Sequence, residues 1–138
     1  FMTKRRRKLP WPISPPLQDK LTDQERAMWD IIGLGIATAD DLLYAPSFPQ
    51  PDTKMQIVRS SRRMGGLTAV ALAVAARLGS RCAYAGVLGH DDISRFVEQT
   101  LQAEGVDTSL VPYCDDAQPV YARIIVDLSG HTRTILYK

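Results

Sequence analysis

A chain of 138 residues, 45% apolar and 23% charged, has the composition of one modest globular domain and excludes a polymer disordered throughout. Its formal charge of +2 is unevenly spread: residues 4–8 are all basic, and the rest of the chain carries 12 basic against 15 acidic side chains, a net of −3. So slightly acidic a body argues against nucleic-acid binding, which would need a basic face to replace phosphate counterions.

Cys82 and Cys114 form neither a CxxC motif nor a disulfide framework, which points to a reducing cytoplasm. The longest near-apolar run, residues 67–76, is about half of the roughly 20 residues that a spanning helix needs, so no membrane segment is expected. Behind the basic start, Pro10, Pro12, Pro15 and Pro16 break up the stretch that the apolar region of a signal peptide would occupy.

Residues 1–29 read as an extension: a basic run and a proline cluster favour extended, solvated chain. Within it, residues 21–29 have the signature of a short helix, with Thr22 as N-cap and Glu25 three positions on. The leading Phe1-Met2 has the look of a fragment or fusion remnant. Residues 30–36 form a short apolar run fit for a buried central strand, and residues 42–44 for a second short one. A proline-stiffened loop over residues 45–52 leads to an alternating stretch, residues 54–60, expected as an exposed strand.

Gly65-Gly66 then opens the strongest helix, residues 67–78, which Gly79 stops. It is apolar all round and alanine-rich, so it is expected to be buried and to lie close to a sheet. Residues 81–88 are the next buried strand. Asp91 or Asp92 caps an amphipathic helix that runs to about Ala103 with Ile93, Phe96, Val97, Thr100 and Leu101 on one face, and Gly105 ends it. Residues 109–113 read as a short strand. Residues 120–127 and 132–137 read as two strands joined by a hairpin turn over residues 128–131. Strands alternating with helices imply an α/β domain with a largely parallel sheet, and no helix follows the last strands to cover them.

Several patterns bear on chemistry. Gly33-Leu34-Gly35 after a strand matches only the start of a dinucleotide fingerprint, because the third glycine is Thr38 and no helix follows; there is no phosphate-binding GxxxxGK[ST] loop. Asp40 and Asp41 sit just past a strand's carboxyl end, where α/β sheets bind ligands; a carboxylate there can accept hydrogen bonds from two adjacent hydroxyls, or be a solvated loop acid. Gly65-Gly66 has two readings, a tight turn into the helix or bare backbone that lets a ligand reach the helix amides. His90 and His131 lack partners at metal-ligand spacing and read as surface turn residues.

Taken in order, these pieces resemble the ribokinase-like (PfkB-type) carbohydrate kinases. Five features carry the resemblance: Gly35 to Asp40 as a Gly-x-x-x-x-Asp turn before the proline-rich segment; Gly65-Gly66 leading into an alanine-rich helix that ends Ala76-Arg77-Leu78-Gly79; the Gly89-His90-Asp91 turn; Gly105-Val106-Asp107-Thr108; and a hairpin with Asp127-Leu128-Ser129-Gly130 and Arg133-Thr134-Ile135. They span residues 30–138, less than half of a complete member.

The resemblance implies the N-terminal half of the fold, a partial three-layer α/β/α sheet with a small β lid, and residues 30–138 as its substrate-binding and lid portion. It implies ATP-dependent phosphoryl transfer to a sugar hydroxyl, with ATP and Mg expected for a full-length parent and none bound by this segment alone. Asp40 would bind sugar hydroxyls, and Gly65 and Gly66 would lie against the sugar. The strands around residues 42–60 and 119–137 would form the lid and a homodimer contact. Three positions depart from the pattern. Val70 and Thr38 stand where asparagines are usual, and Ser94 where glycine is common. Branches that lack the first asparagine use an arginine at the last hairpin for an anionic sugar substituent, a role that Arg133 fits. The family's Gly-Ala-Gly-Asp motif, which supplies the catalytic base, is absent from residues 1–138, so the isolated chain is expected to be inactive. Two other readings stand beside this one: a non-catalytic sugar-binding or dimerisation module, and an adaptor that recruits an acidic partner through residues 4–8.

Overall fold

The structure, a computed structural model, describes residues 28–138. The basic run, the proline cluster and nearly all of the helix expected over residues 21–29 lie outside them. The described elements are β1 (Ile31–Gly33), β2 (Thr38–Ala45), β3 (Arg59–Gly65), α1 (Leu67–Arg77), β4 (Cys82–Tyr84), α2 (Asp92–Ala103), β5 (Val106–Asp107), β6 (Val120–Asp127) and β7 (Thr132–Tyr137).

There are two sheets: the parallel one expected from the alternation of strands and helices, and another from the strands that the resemblance set apart from it. β1, β4 and β5 form a parallel sheet in the order β1-β4-β5; β3-β2-β6-β7 form a second in which β2 and β6 are parallel and the two outer pairings antiparallel. The division lies at residues 34–37, where the chain leaves β1 and begins β2 in a different sheet. Asp40 is therefore the third residue of a strand, not part of a turn beyond one.

The polar edge strand β3 carries Arg-Ser-Ser-Arg-Arg, which gives no apolar alternation to read. Of residues 54–60, whose alternation suggested a strand, only 59 and 60 belong to β3; residues 54–58 are exposed and outside either sheet, with a single hydrogen bond from the Val58 N–H to Tyr44 O at 2.8 Å. Residues 81–88 likewise shrink to β4, and residues 109–113 to a single bridge between Leu88 and Tyr113. The hairpin β6–β7 has the expected bounds.

Five alanines, the best helix former, carry α1. It ends in a glycine turn: the Gly79 N–H donates to Ala76 O at 2.9 Å and the Ser80 N–H to Ala75 O at 3.1 Å, which satisfies carbonyls the helix leaves free. Asp91 caps α2, its Oδ1 accepting from the Ile93 and Ser94 amides at 2.8 and 3.1 Å. Ser94 Oγ donates back to Asp91 Oδ2 at 2.7 Å and accepts from the Gly89 N–H at 2.9 Å, so the serine at the usual glycine position is the buried keystone of this turn.

Both crossovers advance the same way, β1 to β4 to β5, which for right-handed connections puts α1 and α2 on one face of the parallel sheet. Arg77 of α1 and Glu104 at the end of α2 form a two-point ion pair at 2.5 Å. These helices and the sheet are two of the three layers expected. Between them lies the core, with Leu72, Val97, Leu101 and Val106 essentially buried. Burial of each such side chain contributes about 1.5–3 kcal/mol. Gly33 lets α1 come close, since a Cβ there would lie 2.6 Å from Leu72 Cδ1.

Two expectations of burial are not met. The helix α1 buries Ala69, Leu72 and Ala73 but leaves Leu67 89% and Leu78 83% exposed, because a sheet covers only the side of a helix that faces it. In β1, Ile32 is 56% exposed, since among the described residues the strand has a neighbour on one side only.

Gly66 and Gly79 separate two costs. Both have positive φ, 90° and 96°. A Cβ on Gly79 meets nothing within 4 Å, whereas one on Gly66 would lie 2.6 Å from Ile36 O and 2.8 Å from Ala37 Cα. Gly79→Ala is expected to cost about 1 kcal/mol from backbone strain alone, and Gly66→Ala about 3 kcal/mol or more, because backbone must also move. Urea unfolding of the two variants checks the order.

Candidate functional site

Side chains alternate across the four-stranded sheet, and the alternation sorts its charges. On one face, Asp40 stands opposite Arg63 and Ala122, Leu42 opposite Ser61 and Ile124, and Tyr44 opposite Arg59 and Val126. The next strand adds Ile135 beside Ile124 and Arg133 beside Val126. These rows line a cavity of about 740 Å³. Its floor is apolar, from Leu42, Ile124, Val126 and Ile135. Asp40 and Arg63 stand at one end, His131, Thr132 and Arg133 at the hairpin end.

Of the residues expected to bind substrate, Asp40 and Arg133 thus share one cavity. Gly65 adjoins it: a Cβ there would lie 2.4 Å from Asp40 Oδ2 and 2.6 Å from Thr38 Oγ1, so glycine makes the room that the carboxylate occupies. The space beside Gly66 is filled by protein backbone, and its part in this geometry is the tight passage into α1. Thr38 Oγ1 donates to Asp40 Oδ1 at 3.0 Å and so orients it. That leaves most of the acceptor capacity of the carboxylate for hydroxyl donors. Neither Arg63 nor Arg133 has a hydrogen-bond or ion-pair partner among the described residues. At the hairpin, Asp127 Oδ1 accepts from the Ser129 and Gly130 amides, both at 2.9 Å, which holds its carboxyl below the usual range and fixes the turn that presents His131 and Arg133.

Arg63 and the apolar floor went unread in the sequence, and Thr38 was noted only as standing where asparagine is usual. The signal was present in the even positions 38, 40, 42 and 44, which share a face once residues 38–45 are taken as one strand. His131 is exposed in its turn as expected, yet lines the cavity; His90 is exposed, stacked on Tyr113 and 3.5 Å from Asp115.

Asp41, the next residue, turns to the opposite face and is fully engaged. Arg62 donates to it from Nε at 2.6 Å and from Nη2 at 2.9 Å, and the Tyr121 hydroxyl donates to it as well. The Arg62 guanidinium also lies 5.7 Å from the ring centres of Tyr121 and of Phe96 on α2. Hydrogen bonds from Arg62 first, then from Tyr121, outweigh desolvation and hold the Asp41 carboxyl down at about 2. The same pairing raises the pKa of Arg62. Asp40 faces the cavity, and Asp41 helps hold the sheet to α2.

A mixed α/β fragment with this cavity defines a partial ribokinase-like fold, and solved structures bear that out. Ribokinase from Arabidopsis thaliana, complexed with ribose and ATP, matches with a TM-score of 0.70 at 20% identity, over 80% of this chain and 36% of its own. Ribokinase from Cryptococcus neoformans, in complex with ADP, matches with a TM-score of 0.64 at 21% identity, over 78% of this chain and 34% of its own. Among curated relatives, ketohexokinase from Mus musculus is 26% identical over 106 residues, 77% of this chain and 36% of that protein. Residues 28–138 match the model of the pfkB family carbohydrate kinases, and the chain belongs to that family. It spans about a third of the length of that curated relative.

The carboxyl of Asp41 gives a pH prediction with a definite sign. Its pKa is lowered on folding, so the pairing stabilises the fold above the ordinary carboxylate value near 3.8 and is lost as pH falls towards 2. With Arg62 at 40% exposure, solvent screening limits the contribution to about 1 kcal/mol. The stability advantage over Asp41→Asn is therefore expected to shrink between pH 5 and pH 2, measured by thermal unfolding of both proteins across that range.

Proposed function

We propose that this chain carries the sugar-facing part of an ATP-dependent carbohydrate kinase, with the four-stranded sheet as a lid over the substrate. The observation that carries the reading is the close approach of the Asp40 carboxylate to Gly65: a carboxylate with unused acceptor sites stands at the edge of a cavity, in room that a glycine neighbour leaves. A polyol presents adjacent hydroxyl donors, and an anionic carboxylate accepts them strongly. The apolar floor suits the carbon face of a sugar, and a sheet closing over it would exclude water, so that transfer goes to the sugar and not to solvent. Arg133, unpaired at the far end, would meet an anionic substituent of the sugar. The exposed edge strand β7, with Leu136 and Tyr137, would serve a homodimer contact.

When bound, Mg–ATP supplies the electrophilic phosphoryl group. The described residues do not fit that group: among them no three His, Cys, Asp or Glu side chains cluster as a metal site, and residues 1–138 contain no Gly-Ala-Gly-Asp motif. The base and the nucleotide site therefore belong to parts of the kinase fold beyond the third matched here, and the transfer step is assigned to none of these residues. No described helix is long and apolar enough to cross a membrane. The free thiols of Cys82 and Cys114 support a reading as a cytoplasmic enzyme.

The test uses the purified chain. With ATP, Mg and a panel of sugars and sugar phosphates it is expected to consume no ATP above a blank; turnover would overturn the assignment of the base to another part of the fold. In calorimetric titrations, Arg133→Gln is expected to weaken binding of a sugar phosphate about tenfold or more, the scale of a charge-assisted hydrogen bond. Binding of the neutral sugar should be unchanged; equal loss for both would remove Arg133 from the anion role.

A further inference from the structure

Two aspartates on β2 stand directly opposite two arginines on the edge strand β3: Asp41 opposite Arg62, and Asp40 opposite Arg63. Cross-strand partners have Cβ atoms about 5 Å apart, so either couple can close into an ion pair. The first does, with Arg62 donating to Asp41 at 2.6 and 2.9 Å. The second stays open, and its neighbours show why. The Asp40 carboxylate leans over Gly65, where a Cβ would lie 2.4 Å from its Oδ2, and its Oδ1 accepts from the Thr38 hydroxyl at 3.0 Å. Gly65 and Thr38 face each other two positions beyond the Asp40–Arg63 couple, so the carboxylate is drawn along the strand and away from the guanidinium.

Arg63 finds no anion elsewhere. It lines the cavity with Asp40 and also a groove of about 440 Å³ between β3, α1 and α2. The acid that lines this groove, Glu104, is spent on Arg77 in two hydrogen bonds of 2.5 Å. No hydrogen bond or ion pair engages Arg63 among the described residues. A guanidinium cannot shed its charge, and in an open cavity water solvates it. A ligand that fills the cavity displaces part of that water. A neutral sugar then leaves the charge without a counterion, whereas a carboxylate matches the planar fork with two parallel hydrogen bonds.

We infer that Arg63 is a specificity-determining residue, and that the ligand it selects is a sugar acid whose carboxylate is next to the hydroxyl that Asp40 accepts. The open couple offers an acceptor and a forked donor side by side. A 2-hydroxy carboxylate presents the reverse, a donor beside two acceptors, so the two residues together read two adjacent groups. Arg133 is too far away to share this role. It stands beside Val126, four residues along β6 from the Ala122 that neighbours Asp40, which is about 13 Å of strand. It faces the other end of the cavity, and so the other end of a ligand. The inference rests on the reading of the cavity as a sugar site and adds the substrate class to it. Comparing an acid with its neutral polyol separates failure of the one from failure of the other.

The test titrates the full 138-residue chain with D-gluconate and with D-glucitol, and reads binding by calorimetry. The two ligands carry the same row of hydroxyls and differ in a terminal carboxylate against a hydroxymethyl group. Gluconate is expected to bind about tenfold tighter or more, the scale of a charge-assisted hydrogen bond. Arg63 is exposed and unpartnered among the described residues, so Arg63→Gln is expected to keep the melting temperature. It should leave glucitol binding unchanged and remove most of the preference for gluconate. Arg63→Lys keeps the charge but not the fork and is expected to show an intermediate preference. Asp40→Asn is expected to weaken both ligands. Equal binding of the two ligands by the unmodified chain, a result that depends on no variant folding, would overturn the inference and leave the sugar reading standing. A preference that survives Arg63→Gln would overturn it as well, as would one that is lost in Arg133→Gln but kept in Arg63→Gln. Binding of neither ligand would sink the sugar reading of the cavity and this inference with it.

Discussion

The chain passes close to itself where β3 runs into α1, and the candidate site depends on that passage. Gly65 pairs with Thr38, and the room its missing side chain leaves is taken by the carboxylate of Asp40. One residue on, Gly66 turns with φ of 90° against the backbone of Ile36 and Ala37. A side chain at either position would push the start of β2 away from the start of α1. Since β2 belongs to the four-stranded sheet and α1 packs on the parallel one, this contact also joins the two sheets. The position of the carboxylate and the direction of the helix are consequences of one close approach.

The second organising device is the alternation along β2. Two adjacent aspartates leave the strand on opposite faces and have opposite fates. Asp41 is held by Arg62 and Tyr121, between the sheet and α2, and is spent on structure. Asp40 has one weakly donating neighbour, Thr38, and an open cavity. An ionised carboxylate engaged by a guanidinium has little left to offer a neutral hydroxyl, whereas one oriented by a threonine has most of its acceptor sites free. A single strand thus carries both the fastening of the sheet and the carboxylate that faces the cavity.

Much of this was legible from residue patterns. The helices declared themselves through the alanine run after Gly65-Gly66 and through Asp91 capping an amphipathic face; the hairpin did so through two alternating strands around Leu128-Ser129-Gly130-His131. Family membership followed from the order of such pieces. A separate small sheet was implied by the resemblance, but the bounds of β3 were not legible, because it is a polar edge strand whose pairing with β2 is a long-range event that Arg-Ser-Ser-Arg-Arg does not announce. Asp40 was singled out as a turn residue when it is a strand residue. Its cavity partner Arg63 was missed for the same reason, since it meets Asp40 only through register, and the hydrogen bond from Thr38 was not foreseen. The apolar character of α1 was read correctly, but burial depends on what covers a helix, and hydrophobicity alone does not say from which side.

Membership in a carbohydrate kinase family is the context for the proposed role of the cavity, which has an acceptor at one end, an apolar floor, and at the other a guanidinium without a partner among the described residues. The most direct measurement of this account is a nuclear magnetic resonance titration of the isotope-labelled chain with ribose and fructose. Amide shifts concentrated at Asp40, Gly65 and the facing rows of β6, and abolished in Asp40→Asn with the fold intact, are the predicted result. Saturable shifts confined elsewhere, or a titration that Asp40→Asn leaves unchanged, would contradict it.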